Sequence, residues 1–143
     1  MSIRMLPFLL SMSLAMMGCD HGLKSPSQAS LIPKEQMATV VKDANHGDIR
    51  AIKRLIAHYG ASSENGAVAE EWRAKAREIG DAQELYYYAA STFTGARGES
   101  DLEKKREMLI EALKSAKRSY ASSADVSTQQ LIDEISQSID STQ

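Results

Sequence analysis

Apolar residues are distributed in two ways along this chain: one nearly unbroken run from Met5 to Met17, then stripes at helical spacing from Met37 onward. At about a dozen residues the run is too short to span a bilayer, which takes roughly 20. Arg4 precedes it and the small Gly18 follows it, so the layout predicts a secretory leader over residues 1–18. From Asp20 to Pro33 the Gly, Ser, Gln and Pro content shows no sustained apolar period. That predicts a flexible tether over 19–33, because so polar a segment buries too little surface to offset its ordering entropy.

A helical domain is predicted over 34–143. After Pro33, a good first-turn residue, Met37, Val40, Val41 and Ala44 share a face, and Gly47 is a natural stop. Asp48 can cap a second helix with Ile49, Ile52, Leu55, Ile56 and Tyr59 on one side, ended by Gly60, with a loop over Ala61–Gly66. The third runs from about Ala67 to Ile79, with Val68, Trp72, Ala76 and Ile79 inward, and Gly80 stops it. Asp81 and Glu84 have capping-box spacing and open a fourth with Ala82, Leu85, Ala89 and Phe93 buried, before a turn at Thr94–Gly98.

Ser100 and Glu103 repeat the box spacing ahead of the longest helix, where Leu102, Leu109, Leu113, Ala116 and Tyr120 share a face. Met108 and Ile110 flank that stripe and suggest burial on two sides. The last helix runs from about Ser127, with Gln130 as its box partner, to Ile139, and turns Leu131, Ile132, Ile135 and Ile139 inward. No stretch alternates as a strand does. The fold class predicted is all-α.

Gly47-Asp48 recurs as Gly80-Asp81, each time between two helices. A helix pair per thirty-odd residues is the period of a solenoid, in which neighbouring pairs stack to cover their apolar faces. The prediction is a short helical-repeat array of about three antiparallel pairs.

Charge and chemistry narrow the function without fixing it. Lys and Arg number 17 against 19 Asp and Glu, a formal charge of −2 that becomes one unit more negative once Arg4 leaves with the leader. Such balance gives no footprint for nucleic acid and no polybasic patch for lipid headgroups. The mixed-sign run Glu103–Glu107 reads as a solvated helix face. His21, His46 and His58 have no zinc-type spacing. No strand-turn-helix context holds a nucleophile, no glycine-rich loop could cradle phosphate, and Glu70 and Glu71 read as solvated. An enzyme, a metal, a cofactor and a small-molecule substrate are all unexpected.

In the run Leu85–Ser91 three consecutive tyrosines cannot all face one core, since successive helical residues turn by about 100°. Tyr86 and Tyr88 border the buried side with their phenol tips outward. Tyr87 points the opposite way and is the candidate partner contact, incidental exposure being the alternative.

The only cysteine is Cys19. The phrase Met16-Met17-Gly18-Cys19 resembles the bacterial lipobox, although Met16 and Met17 stand where a Leu and a small residue are typical. The resemblance implies a leader cut before Cys19 and acyl chains such as palmitate on that residue, enough for stable anchoring because more than one chain is attached. Asp20 resembles the enterobacterial signal for retention at the inner membrane, with the outer membrane as the other possibility. A domain so anchored faces the periplasm.

The spacing of Ala51, Leu55 and Tyr59, then of Trp72, Lys75, Ala76, Gly80, Asp81 and Ala82, resembles the Sel1-like repeats, relatives of the tetratricopeptide repeats, over about a third of the chain. In that family Ala and Gly permit close helix contact and aromatic residues act as packing wedges. Family repeats carry a Gly-containing turn with an acidic residue between paired helices, which here is the looser Gly60–Gly66. The resemblance implies a protein-binding lipoprotein. More narrowly it implies an immunity protein neutralising an antibacterial effector, for example a lipase delivered by a type VI or similar secretion system. The rival expectation is an envelope scaffold or secretion-assembly adaptor.

Overall fold

The structure is a computed structural model that describes residues 31–142. The expected leader, Cys19, Asp20, His21 and the tether as far as Ser30 lie outside the described residues. Six α-helices follow in order: α1 (Lys34–Asn45), α2 (Ile49–Gly60), α3 (Gly66–Glu78), α4 (Ala82–Gly98), α5 (Leu102–Ser122) and α6 (Val126–Asp140), with one 3₁₀ turn at Ser63–Asn65. There is no strand among the described residues, so the chain is an all-α helical array, and its short connections make successive helices antiparallel.

The two Gly-Asp pairs are one device used twice. Gly47 and Gly80 have φ of 87° and 88°, the left-handed conformation that favours glycine at a helix end. The Gly47 N–H donates to the Ala44 carbonyl at 3.1 Å and Asp48 N–H to Asp43 at 3.1 Å; Gly80 N–H donates to Arg77 at 3.2 Å and Asp81 N–H to Ala76 at 2.9 Å. Each aspartate thus closes one helix with its N–H. Its carboxylate then caps the next, Asp48 accepting from Arg50 and Ala51 and Asp81 from Glu84. Across the repeat, Lys53 Nζ lies 3.0 Å from Asp81 Oδ2 and Lys75 Nζ donates to Asn45 Oδ1 at 2.8 Å.

Most of the buried apolar groups fall into two clusters, with Ala69 and Leu85 outside both. One joins Val40 and Ala44 of α1, Ala51, Ile52 and Leu55 of α2 and Ala76 of α3. The other joins Ala89, Phe93 and Ala96 of α4, Leu109, Ala112 and Ala116 of α5, and Leu131 and Ile135 of α6. Repeated fully buried alanines let the helix axes approach closely, in keeping with the role expected of small residues. Between the halves, Arg118 Nη2 of α5 donates to the Arg77 carbonyl of α3 at 2.8 Å, while within the second half Ser119 Oγ of α5 donates to the Ala82 carbonyl of α4 at 2.7 Å.

Several expectations are corrected. Ile32, placed in the expected tether, is buried against the first cluster and its N–H donates to His58 Nδ1 at 3.0 Å. Thr94–Gly98 is the last turn of α4, not a loop. A Cβ on Gly95 would come within 2.8 Å of Met108 Cε, the mobile end of a side chain on α5. The caps of α5 and α6 are Asp101 and Asp125, not Ser100 and Ser127.

Facing is also revised in places. Ala69 is the second fully buried residue of α3, while Ile79 is exposed and Val68 and Trp72 are half-buried. On α5 the buried stripe is Leu109, Ala112, Ala116 and Ser119; Leu102, Ile110 and Tyr120 are exposed, so burial does not extend to the Ile110 side.

Candidate functional site

The first three turns of α4 divide into three rows. Glu84, Tyr88 and Ser91 follow each other at i, i+4, i+7 and face α3; Ala82 and Tyr86 face the ends of α5 and α6; Gln83 and Tyr87 form the ridge between them. Tyr87 is 55% exposed, Tyr86 and Tyr88 are half-buried, and Leu85 is buried beneath them. The outward position expected for Tyr87 and the border positions of its neighbours are therefore both found. The Tyr86 and Tyr87 rings meet edge-on at 5.8 Å, and Gln83 Nε2 donates to Tyr87 Oη at 3.3 Å.

Opposite the first row, α3 presents Glu70, Arg73 and Arg77, another helical stripe at i, i+3, i+7. The two rows enclose an open crease of about 340 Å³. Arg77 Nη2 lies 2.8 Å and Arg73 Nη1 3.5 Å from the Glu70 carboxylate. The Arg77 guanidinium stacks over Tyr88 at 4.4 Å from the ring centre, a cation–π contact.

Glu84 lies at the bottom of this crease, 8% exposed. Its carboxylate makes no side-chain hydrogen bond and no ion pair within 4 Å among the described residues, and its oxygens are not shut off from solvent. Burial pushes its carboxyl above the usual carboxylate range, with Arg73 opposing and Asp81 adding to the shift. The capping-box reading of the sequence placed Glu84 at a helix start and missed its burial. The signal available was the pair of polar stripes, 70/73/77 and 84/88/91, that run along facing helices.

On the other side of the ridge a second groove, of about 400 Å³, is walled by Tyr86, Ser119, Ser123, Asp125 and Thr128. Tyr87 borders both depressions. The ridge stands near the α3–α4 turn, whereas Ile32 enters beside His58 near the end of α2, so the antiparallel layout puts them toward opposite ends of the array.

The repeat-packing residues are distributed unevenly. Ala51, Leu55 and Ala76 are buried; Tyr59, Trp72, Gly80 and Ala82 are half-buried, Trp72 with Lys75 Nζ 5.2 Å from its ring. His46 Nδ1 bonds the Lys42 carbonyl at 2.7 Å, and no group of three or more His, Cys, Asp or Glu among the described residues is arranged to hold a metal ion. No helix among the described residues is long and apolar enough to cross a membrane. Compared with protein-family models, curated proteins and solved structures, the chain matches none of them.

Proposed function

We propose that this chain is a lipid-anchored, periplasm-facing binding protein whose partner is another protein, and that it acts as an immunity protein neutralising an antibacterial effector such as a secreted lipase. The observation that carries the binding reading is Tyr87, a large amphipathic side chain held out on a rigid helix between two grooves. Tyrosine in that setting suits an interface anchor, having much contact area and few torsions to freeze. Anchoring through Cys19, sorting through Asp20 and kinship with Sel1-like repeats belong to the same proposal; the lipobox phrase and the spacing from Ala51 to Ala82 support them.

A photo-crosslinking residue placed at position 87 in cells making the full-length chain tests this reading. One predominant protein adduct is expected, absent when the same residue replaces Ile110, and the captured protein should lose its toxicity or lipase activity when bound. Equal labelling from both positions would overturn the binding site; capture without inhibition would favour the scaffold.

A further inference from the structure

The crease holds two arginines and two carboxylates, and one of the carboxylates has no close ion pair. Arg73 and Arg77 share the Glu70 carboxylate at 3.5 and 2.8 Å, and Arg77 is also held on the face of Tyr88. Glu84, deeper than any of them, has no such partner among the described residues. Because no side-chain oxygen among the described residues is both buried and unpartnered, the Glu84 oxygens open into the crease, where a donor from outside can reach them. We propose that the crease between α3 and α4 is the receptor for one basic side chain, an arginine or lysine, of the protein partner.

Three features of the crease fit that occupant. Its volume of about 340 Å³ lies at the small end of ligand clefts, roughly 300–1,000 Å³, which suits a single side chain better than a folded segment. A guanidinium can give a carboxylate two parallel hydrogen bonds, and an ammonium one strong charge-assisted bond. Tyr87 at the rim, 55% exposed, offers an aromatic face of the kind that already holds Arg77 on Tyr88 within the same crease. An anion would instead have to displace Glu70 from two arginines and sit beside Glu84. The one carboxylate outside the Arg73–Glu70–Arg77 group thus favours a cation.

The inference rests on a protein partner, yet it can be tested without one. N-acetyl-arginine methylamide is titrated into the full-length chain carrying ¹³C-labelled glutamate, with the Glu84 carboxyl and Tyr87 ring resonances followed. Saturable shifts at millimolar concentration are expected, at least tenfold weaker binding in Glu84→Gln, and tighter binding in Arg73→Gln, which removes a competing cation. Absence of saturation, an equal response to the citrulline analogue, or saturation by N-acetyl-glutamate methylamide that weakens in Arg73→Gln would overturn the proposal. Should Glu84→Gln fail to fold, the opposite expectations for Arg73→Gln still decide between cation and anion. Probe binding without a crosslink at position 87 would sink the protein-partner reading alone; a crosslink without probe binding would sink only the basic-side-chain receptor.

Discussion

Glu84 stands at the third position of α4, where a carboxylate ordinarily turns back to the N–H of the capping residue. Here that N–H, on Asp81, is already committed to the Ala76 carbonyl by the Gly80 turn. Only half of the box forms, with Asp81 Oδ1 accepting from the Glu84 N–H at 3.0 Å, and the Glu84 carboxylate lies in the crease instead. Because burial raises its folded-state pKa, the folded chain holds this proton more readily than the unfolded chain. Its stabilising contribution is present below the ordinary carboxylate value and is lost as pH rises through the raised one. Glu84→Gln should therefore raise the urea midpoint at pH 7 and leave it nearly unchanged at pH 3. An equal gain at both values would show that ionisation is not the cause. Trp72 calls for a smaller effect than its repeat position suggests: it is half-buried and partly covered by Lys75. Trp72→Ala should cost about 1–2 kcal/mol, below the roughly 3–5 kcal/mol of a fully buried tryptophan, as read from the urea midpoint.

Helix stops and starts were legible wherever one residue type performs a task that few others can. Gly47 and Gly80 need positive φ, and Asp48 and Asp81 supply the acceptors that follow, so both junctions are evident from four letters. The caps of α5 and α6 were not, because Ser and Asp compete within a few positions and either can accept from a helix N-terminus. Asp125 Oδ1 takes the N–H groups of Ser127 and Thr128 at 2.8 and 3.3 Å. Asp125→Ala should then destabilise by about 1 kcal/mol, while Ser127→Ala stays within about 0.5 kcal/mol; thermal unfolding of the two variants separates them, and the reverse order would return the cap to Ser127. The end of α4 was illegible for a different reason. Gly95 and Gly98 have low helix propensity, yet packing of Phe93 and Ala96 against α5 carries the helix through them, tertiary burial overriding a local preference. Periodicity likewise identified the stripe on α5 but not its limits: Leu102 and Tyr120 continue the spacing beyond the buried stripe.

The division into two apolar clusters places the candidate site where α3 and α4 join them, and there polar contacts supplement the buried Leu85: Arg118 to Arg77 and Lys53 to Asp81. Each half then has much of its stability from its own cluster, the condition under which parts of one chain open separately. Ile32 offers a way to test this from outside the helices. It is 6% exposed, packs on the first cluster and on no other among the described residues, and is held by its N–H on His58 Nδ1. Ile32→Ala keeps that backbone donor and removes most of the side chain, so a loss of about 2 kcal/mol is expected, the low end for a buried isoleucine because Ile32 lies outside the helices. Hydrogen exchange should show faster opening of α1 and α2 with α5 and α6 unchanged. Uniform loss of protection across all six helices would mean instead that the seam couples the clusters into one cooperative unit, and that the crease is held as rigidly as the cores on either side.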